Sequence, residues 1–197
     1  MMFTRGRNLL ALLLLLAGMQ QLAAAGSIKA KAWLAPLLIE HAWQSSMDGG
    51  GIAVKPWPWA DTWPVARLQL PQHGVDQLVL AGDSGNVLAF GPGHTRASAP
   101  LGSDGLAVLG GHRDTHFAFL RDVQPGAQLR LLLADGVVMT YEVSAVRVVN
   151  SQQQPLNPRD SAQGIVLVTC YPFDAIDAGG PLRYVVEAVP RLSPRVG

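Results

Sequence analysis

A single cysteine, Cys170, serves the whole chain, so no intrachain disulfide can form and the thiol is free. Charge is scarce too: charged residues make up 15% of the sequence and the formal net charge is +1. No Lys/Arg block stands in the part that folds, so the chain lacks the electrostatic footprint of a nucleic-acid binder. Apolar and turn-forming residues are abundant instead. A hydrophobic fraction of 49% excludes disorder, and 21 Gly with 14 Pro suit short strands joined by many turns better than a helical bundle. The 197 residues, less an N-terminal segment, fit one domain with its own core.

The most informative stretch is Gln163-Gly-Ile-Val-Leu-Val-Thr-Cys-Tyr-Pro-Phe173. Ile165–Val168 are consecutively apolar and mostly β-branched, the pattern of a strand buried on both faces. Pro172 cannot continue a ladder, so Cys170 sits where that strand reaches its rim. Alone, a free cysteine reads as a small buried hydrophobe. Its company changes the reading. A second apolar strand, Leu106–Gly111, ends in His112, and a third, Leu182–Val189, carries Arg183 near its start. An antiparallel return after Cys170 sets Arg183 beside it.

The N-terminus begins with Arg5 and Arg7, followed by the apolar run Leu9–Met19 and an Ala-rich end at Ala23–Ala25. A cleavable export signal has this form. As a membrane anchor, Leu9–Ala25 reaches about 26 Å against a ~30 Å hydrocarbon core. Both readings export the rest of the chain. Residues 27–47 show loose helical periodicity interrupted by Pro36, and Asp48–Gly51 reads as a linker. Lys55–Leu68, where tryptophans alternate with prolines, is extended, and its rings are expected to lid one end of the core.

Strand-like pieces then follow at Val65–Leu70, Val75–Leu80 and Asn86–Phe90, with a helical turn near Phe117–Leu120. Gln128–Leu133 and Val137–Val149 flank Ala134-Asp-Gly136, a hairpin signal. Asn150–Gln163 is a polar loop long enough to serve binding. The whole reads as an all-β barrel or sandwich.

The residue types allow a definite chemistry. An imidazole can take a thiol's proton, the thiolate can attack an amide carbonyl, and a fixed guanidinium can stabilise the developing oxyanion. His112 and His116 stand four apart, a metal-binding spacing on a helix, but Gly110-Gly111 precede them and no third ligand is evident. Asp114 is placed either to orient an imidazole or to cap the next turn.

Gly111-His112-Arg113 after one strand, Val168-Thr169-Cys170 ending another and Arg183 opening the next resemble a sortase. The Trp/Pro segment Pro56–Thr62 resembles the sortases of marine and other Gram-negative proteobacteria. Where that family often has Thr-Leu ahead of x-Thr-Cys, this chain has Val166-Leu167-Val168-Thr169, which leaves the subclass open. The resemblance implies an eight-stranded β-barrel with short helices, preceded by an N-terminal hydrophobic helix. It implies three segments: residues 1–26 as anchor or signal, 27–51 as juxtamembrane helix and linker, and 52–197 as catalytic barrel. It further implies a cysteine transpeptidase with His112, Cys170 and Arg183 as catalytic residues, without cofactor or metal. The expected partners are a protein bearing an LPXTG-like sorting signal, an amine acceptor, and the cytoplasmic membrane through the N-terminus, with the catalytic domain on the exported side. Two other classes compete. One is a non-catalytic exported ligand-binding β-domain. The other is an L,D-transpeptidase-like enzyme, whose Ser-x-Gly-Cys pattern Leu167–Cys170 lacks.

Overall fold

The computed structural model describes residues 14–16, 18–21, 33–153, 163–175 and 179–191. The chain divides into two compact units, Met1–Leu38 and Ile39–Gly197. In the smaller, residues 14–16, 18–21 and 33–38 are helical, so Pro36 lies inside helix. Among the described residues no helix is long and apolar enough to cross a membrane. The expected N-terminal hydrophobic helix falls largely outside the described residues, as does most of the polar loop before Gln163.

In the larger unit, residues 39–48 are helical (α1). Eight strands among the described residues follow: β1 (Pro64–Leu70), β2 (Val75–Ala81), β3 (Gly93–His94), β4 (Leu106–Gly110), β5 (Gln128–Leu133), β6 (Val138–Asn150), β7 (Gly164–Cys170) and β8 (Leu182–Pro190). They close into a barrel in the order β1-β2-β3-β4-β7-β8-β6-β5. The β2–β3 and β4–β7 pairs are parallel and the remaining pairs antiparallel. Closure removes the sheet edges that short strands would otherwise leave unpaired.

Alternation along the strands builds the interior. Leu68, Val79, Leu109, Leu131, Ile165, Leu167 and Val186 converge on one core with Phe117 and Leu120. Each such side chain removed from water stabilises the fold by about 1.5–3 kcal/mol. The outer face carries two smaller clusters. Leu80, Val87 and Ile39 pack with Trp57 outside β2, and Val149, Val166 and Val185 pack with Leu106 and Val168 outside β4, β7 and β8.

Besides Pro36, two more expectations differ from the structure. Asn86–Phe90 contains a single helical turn, α2 (Gly85–Leu88), rather than a strand, because one turn suffices to bury Val87 against Ile39 and Leu80. Within the Trp/Pro segment, residues 55–63 have no regular secondary structure and Pro64–Leu68 belong to β1, and its rings do not lid the core. Trp57 meets Phe90 edge-on at 5.6 Å on the outer wall, Trp63 lies under Arg96, and Trp59 is 82% exposed.

Candidate active site

The site stands at the carboxyl ends of β4 and β7, where their parallel ladder stops. Ile165 and Leu167 of β7 face the core, and Thr169 shares their side. Val166, Val168 and Cys170 alternate to the outer face, where Val166 and Val168 join the second cluster. The same alternation in β8 turns Val186 and Ala188 inward and Val185 outward, with Arg183 on the outer side.

Cys170 and Arg183 are register partners across β7 and β8, which sets their Cα atoms about 4.5–5.5 Å apart. On the other flank, Gly110 pairs with Val168, and the Gly111 N–H donates to the Val168 carbonyl at 3.2 Å. His112 follows two residues beyond Gly110, past the end of the strand that neighbours the one carrying Cys170. The three expected site residues thus lie on β7 and β8 and just past β4, three adjacent strands, at one end of the barrel. Cys170 is half-buried, Arg183 half-buried and His112 exposed. Among the described residues no hydrogen bond joins the His112 imidazole to the thiol, and such bonds often tighten only once substrate is bound.

Several contacts fix these side chains. The Thr169 hydroxyl, 2% exposed, donates to the Gly111 carbonyl at 2.7 Å. The His112 carbonyl accepts the N–H groups of Thr115 (3.4 Å) and Phe117 (2.9 Å), closing a turn over residues 112–117. Glycine at 111 lets the Phe117 ring pack against the backbone there, because a Cβ would stand 2.6 Å from that ring and force it to shift. Arg113 Nη2 donates to the Ala175 carbonyl at 2.6 Å, tying the turn to the loop that follows Cys170. Arg183 Nη1 donates to the carbonyls of Gly180 (2.5 Å) and Leu182 (2.9 Å).

Because residues 112–116 form a turn, His112 and His116 do not share a helical face. His116 packs inward instead. Its carbonyl accepts from Gln77 Nε2 at 2.9 Å. Burial pushes its imidazole below the ordinary value; a hydrogen bond with the Ala89 backbone acts upward and the charge of His112 downward again. Asp114 is exposed and makes no hydrogen bond to His112 among the described residues. Beside the site, Tyr171, Phe173 and Tyr184 form an aromatic group, with Arg121 over the Phe173 ring at 5.1 Å. Sequence reasoning did not single out the Thr169 and Arg113 bonds. A hydroxyl inside an apolar run was the only hint, since a buried hydroxyl needs a partner.

Known proteins share this fold. Sortase D of Bacillus subtilis (strain 168) is 32% identical over 120 residues, 60% of this chain and 60% of that relative. The chain thus spans less than two thirds of the curated relative's length. A sortase D5 transpeptidase of Clostridium perfringens superposes with a TM-score of 0.60 at 19% identity, covering 78% of this chain and 93% of that one. Sortase A of Corynebacterium diphtheriae gives 0.60 at 20% identity, covering 90% and 98%. These structures share the barrel. The sortase domain model matches residues 68–191, a span running from inside β1 to the residue after β8 and holding His112, Cys170 and Arg183, and on that match the chain belongs to the sortase family.

Proposed function

We propose that the chain is a cysteine transpeptidase that cleaves an LPXTG-like sorting signal between Thr and Gly and passes the acyl group to an amine or to water. The observation that carries this reading is the pairing of Cys170 with Arg183 in one ladder, with His112 two residues past the end of the adjoining strand β4. Membership of the family and the description of the Clostridium perfringens neighbour as a transpeptidase support it.

The chemistry follows from the three groups. The Cys170 thiolate attacks the threonine carbonyl carbon, and a C–S bond forms as the carbonyl oxygen takes the negative charge. Arg183 donates to that oxygen through the guanidinium edge not held by Gly180 and Leu182. As the C–N bond breaks, His112 gives its proton to the leaving glycine amine and a thioester remains on Cys170. The incoming amine then attacks the thioester, His112 takes its proton, and the thiolate departs.

The rest of the chain serves delivery. Residues 1–26 act as a membrane anchor, 27–51 as a juxtamembrane helix and linker, and 52–197 as the catalytic barrel on the exported side. The full chain in detergent, incubated with LPXTG-type peptides and hydroxylamine, is expected to release the threonine hydroxamate, and Cys170→Ala to release none. Peptides left intact across a panel of signal variants would overturn the reading.

A further inference from the structure

Resting on the transpeptidase reading above, we infer that Thr169 is a positioning residue that holds His112 in register with Cys170. The β4–β7 ladder ends at the Gly110–Val168 pair. Beyond it the Gly111 N–H makes one last backbone bond, to the Val168 carbonyl at 3.2 Å, and the chain then leaves the sheet for the 112–117 turn. That turn closes on the carbonyl of His112 itself, so its own bonds do not fix where it stands relative to β7. Arg113 Nη2 on the Ala175 carbonyl and Gln77 Nε2 on the His116 carbonyl hold the middle and far end of the turn, and the 2.7 Å bond from the Thr169 hydroxyl to the Gly111 carbonyl holds its root, one residue from His112 on one side and one residue from Cys170 on the other.

The surroundings make the link rigid. Thr169 is 2% exposed, Gly111 is buried and Phe117 is 0% exposed, so water cannot readily replace the hydroxyl. The Phe117 ring blocks the other side of Gly111, where even a Cβ would meet it at 2.6 Å. The root of the His112 turn is thereby seated between a ring and a hydroxyl. Thr169 is turned to the barrel interior, where its hydroxyl is held by the Gly111 carbonyl. It acts through His112, whose placement against the reacting bond governs proton transfer, and a displacement near 1 Å can cost about 100-fold.

Thr169→Val keeps the shape and removes the donor, and Thr169→Ser keeps the donor. In the full chain, Thr169→Val is expected to lower kcat for peptide cleavage by about 10- to 100-fold with KM within about twofold, and Thr169→Ser to restore most of kcat. A second readout needs no sorting peptide: the rate of Cys170 alkylation by iodoacetamide in wild type, Thr169→Val, His112→Ala and the double variant. If Thr169 acts through His112, Thr169→Val changes the rate in the same direction as His112→Ala and adds nothing in the double variant. Wild-type kcat in Thr169→Val, equal effects with and without His112, or failure of Ser to restore kcat would each overturn the inference. So would failure of the valine variant to fold, which would assign Thr169 to stability alone. A wild-type protein inert toward every peptide sinks the transpeptidase reading, while the alkylation cycle still decides the role of Thr169.

Discussion

Arg183 stands directly across the β7–β8 ladder from Cys170, and its Nη1 is already bound to the carbonyls of Gly180 and Leu182. One edge of the guanidinium is thus anchored. Among the described residues, Nε and Nη2 carry no hydrogen bond, and in the proposed reaction they are the donors left for substrate. A lysine keeps the charge but cannot hold two backbone carbonyls and an oxyanion in a planar fork. Arg183→Lys is therefore expected to lose about 100-fold in kcat for peptide cleavage, close to the loss in Arg183→Ala. A lysine variant that turns over like wild type would show that charge alone suffices.

Gly111 bears a steric constraint that can be measured without substrate. The Cβ of Gly111→Ala would stand 2.6 and 2.7 Å from two atoms of the Phe117 ring, which is wholly buried and cannot swing into solvent. Overpacking of this kind costs about 1–3 kcal/mol, and each kcal/mol lowers Tm by about 2–4 °C in a chain of this size. Calorimetry should record that drop, and Phe117→Leu in the same background should recover part of it. A Gly111→Ala protein as stable as wild type would mean the turn moves freely.

These residues also show what could be read from sequence. The run Ile165–Val168 announces a strand buried on both faces, and its antiparallel return places Arg183 next to Cys170 through a local connection. His112 is different. Its nearness to the end of β7 depends on the parallel β4–β7 pairing between strands far apart in the chain, which periodicity cannot reveal; the apolar strand ending at His112 and the family resemblance suggest the grouping without fixing the pairing. β3, two residues long, has no period to detect and exists because Leu80 and Leu109 lie within reach of it. The Thr169–Gly111 bond joins residues 58 positions apart, so no local pattern encodes it.

Arg67 on β1 fastens α1 to the barrel. Its Nη2 bonds Glu40 at 2.5 and 2.7 Å, its Nη1 bonds Asp76 at 2.8 Å, and its guanidinium lies 5.9 Å from the Trp43 ring centre. Arg67→Ala is expected to speed amide exchange over residues 39–48 while leaving β7 protected. Burial pushes the Asp76 carboxyl up, but hydrogen bonds from Arg67 and Gln69 and the charge of Arg67 outweigh it and leave it below its ordinary value. A carboxylate depressed in this way adds stability that is full above its unfolded pKa, about 4, and is lost as pH falls through the folded value. The Tm gap between wild type and Arg67→Ala should therefore narrow between pH 7 and pH 3, by a small amount because Asp76 is half-exposed. A gap that does not change with pH would leave packing on Trp43 as the whole effect.

His116 gives a second titration, with an imidazole rather than a carboxyl. Burial holds it below the ordinary histidine value against the upward pull of the Ala89 backbone, and the charge of His112 pushes the same way as burial. The unfolded chain then binds a proton that the folded chain resists. Stability is full above the unfolded pKa, about 6.5, and is lost as pH falls toward the folded value. Wild-type Tm should decline between pH 7 and pH 5, and His116→Gln, whose amide can still donate to the Ala89 carbonyl, should flatten that decline. Removing the neighbouring charge is the sharper test. In His112→Gln the proton-NMR midpoint of His116 should rise toward the ordinary value while the burial effect remains. A midpoint unmoved by that substitution would show that the two rings, four residues apart on one turn, do not sense each other's charge.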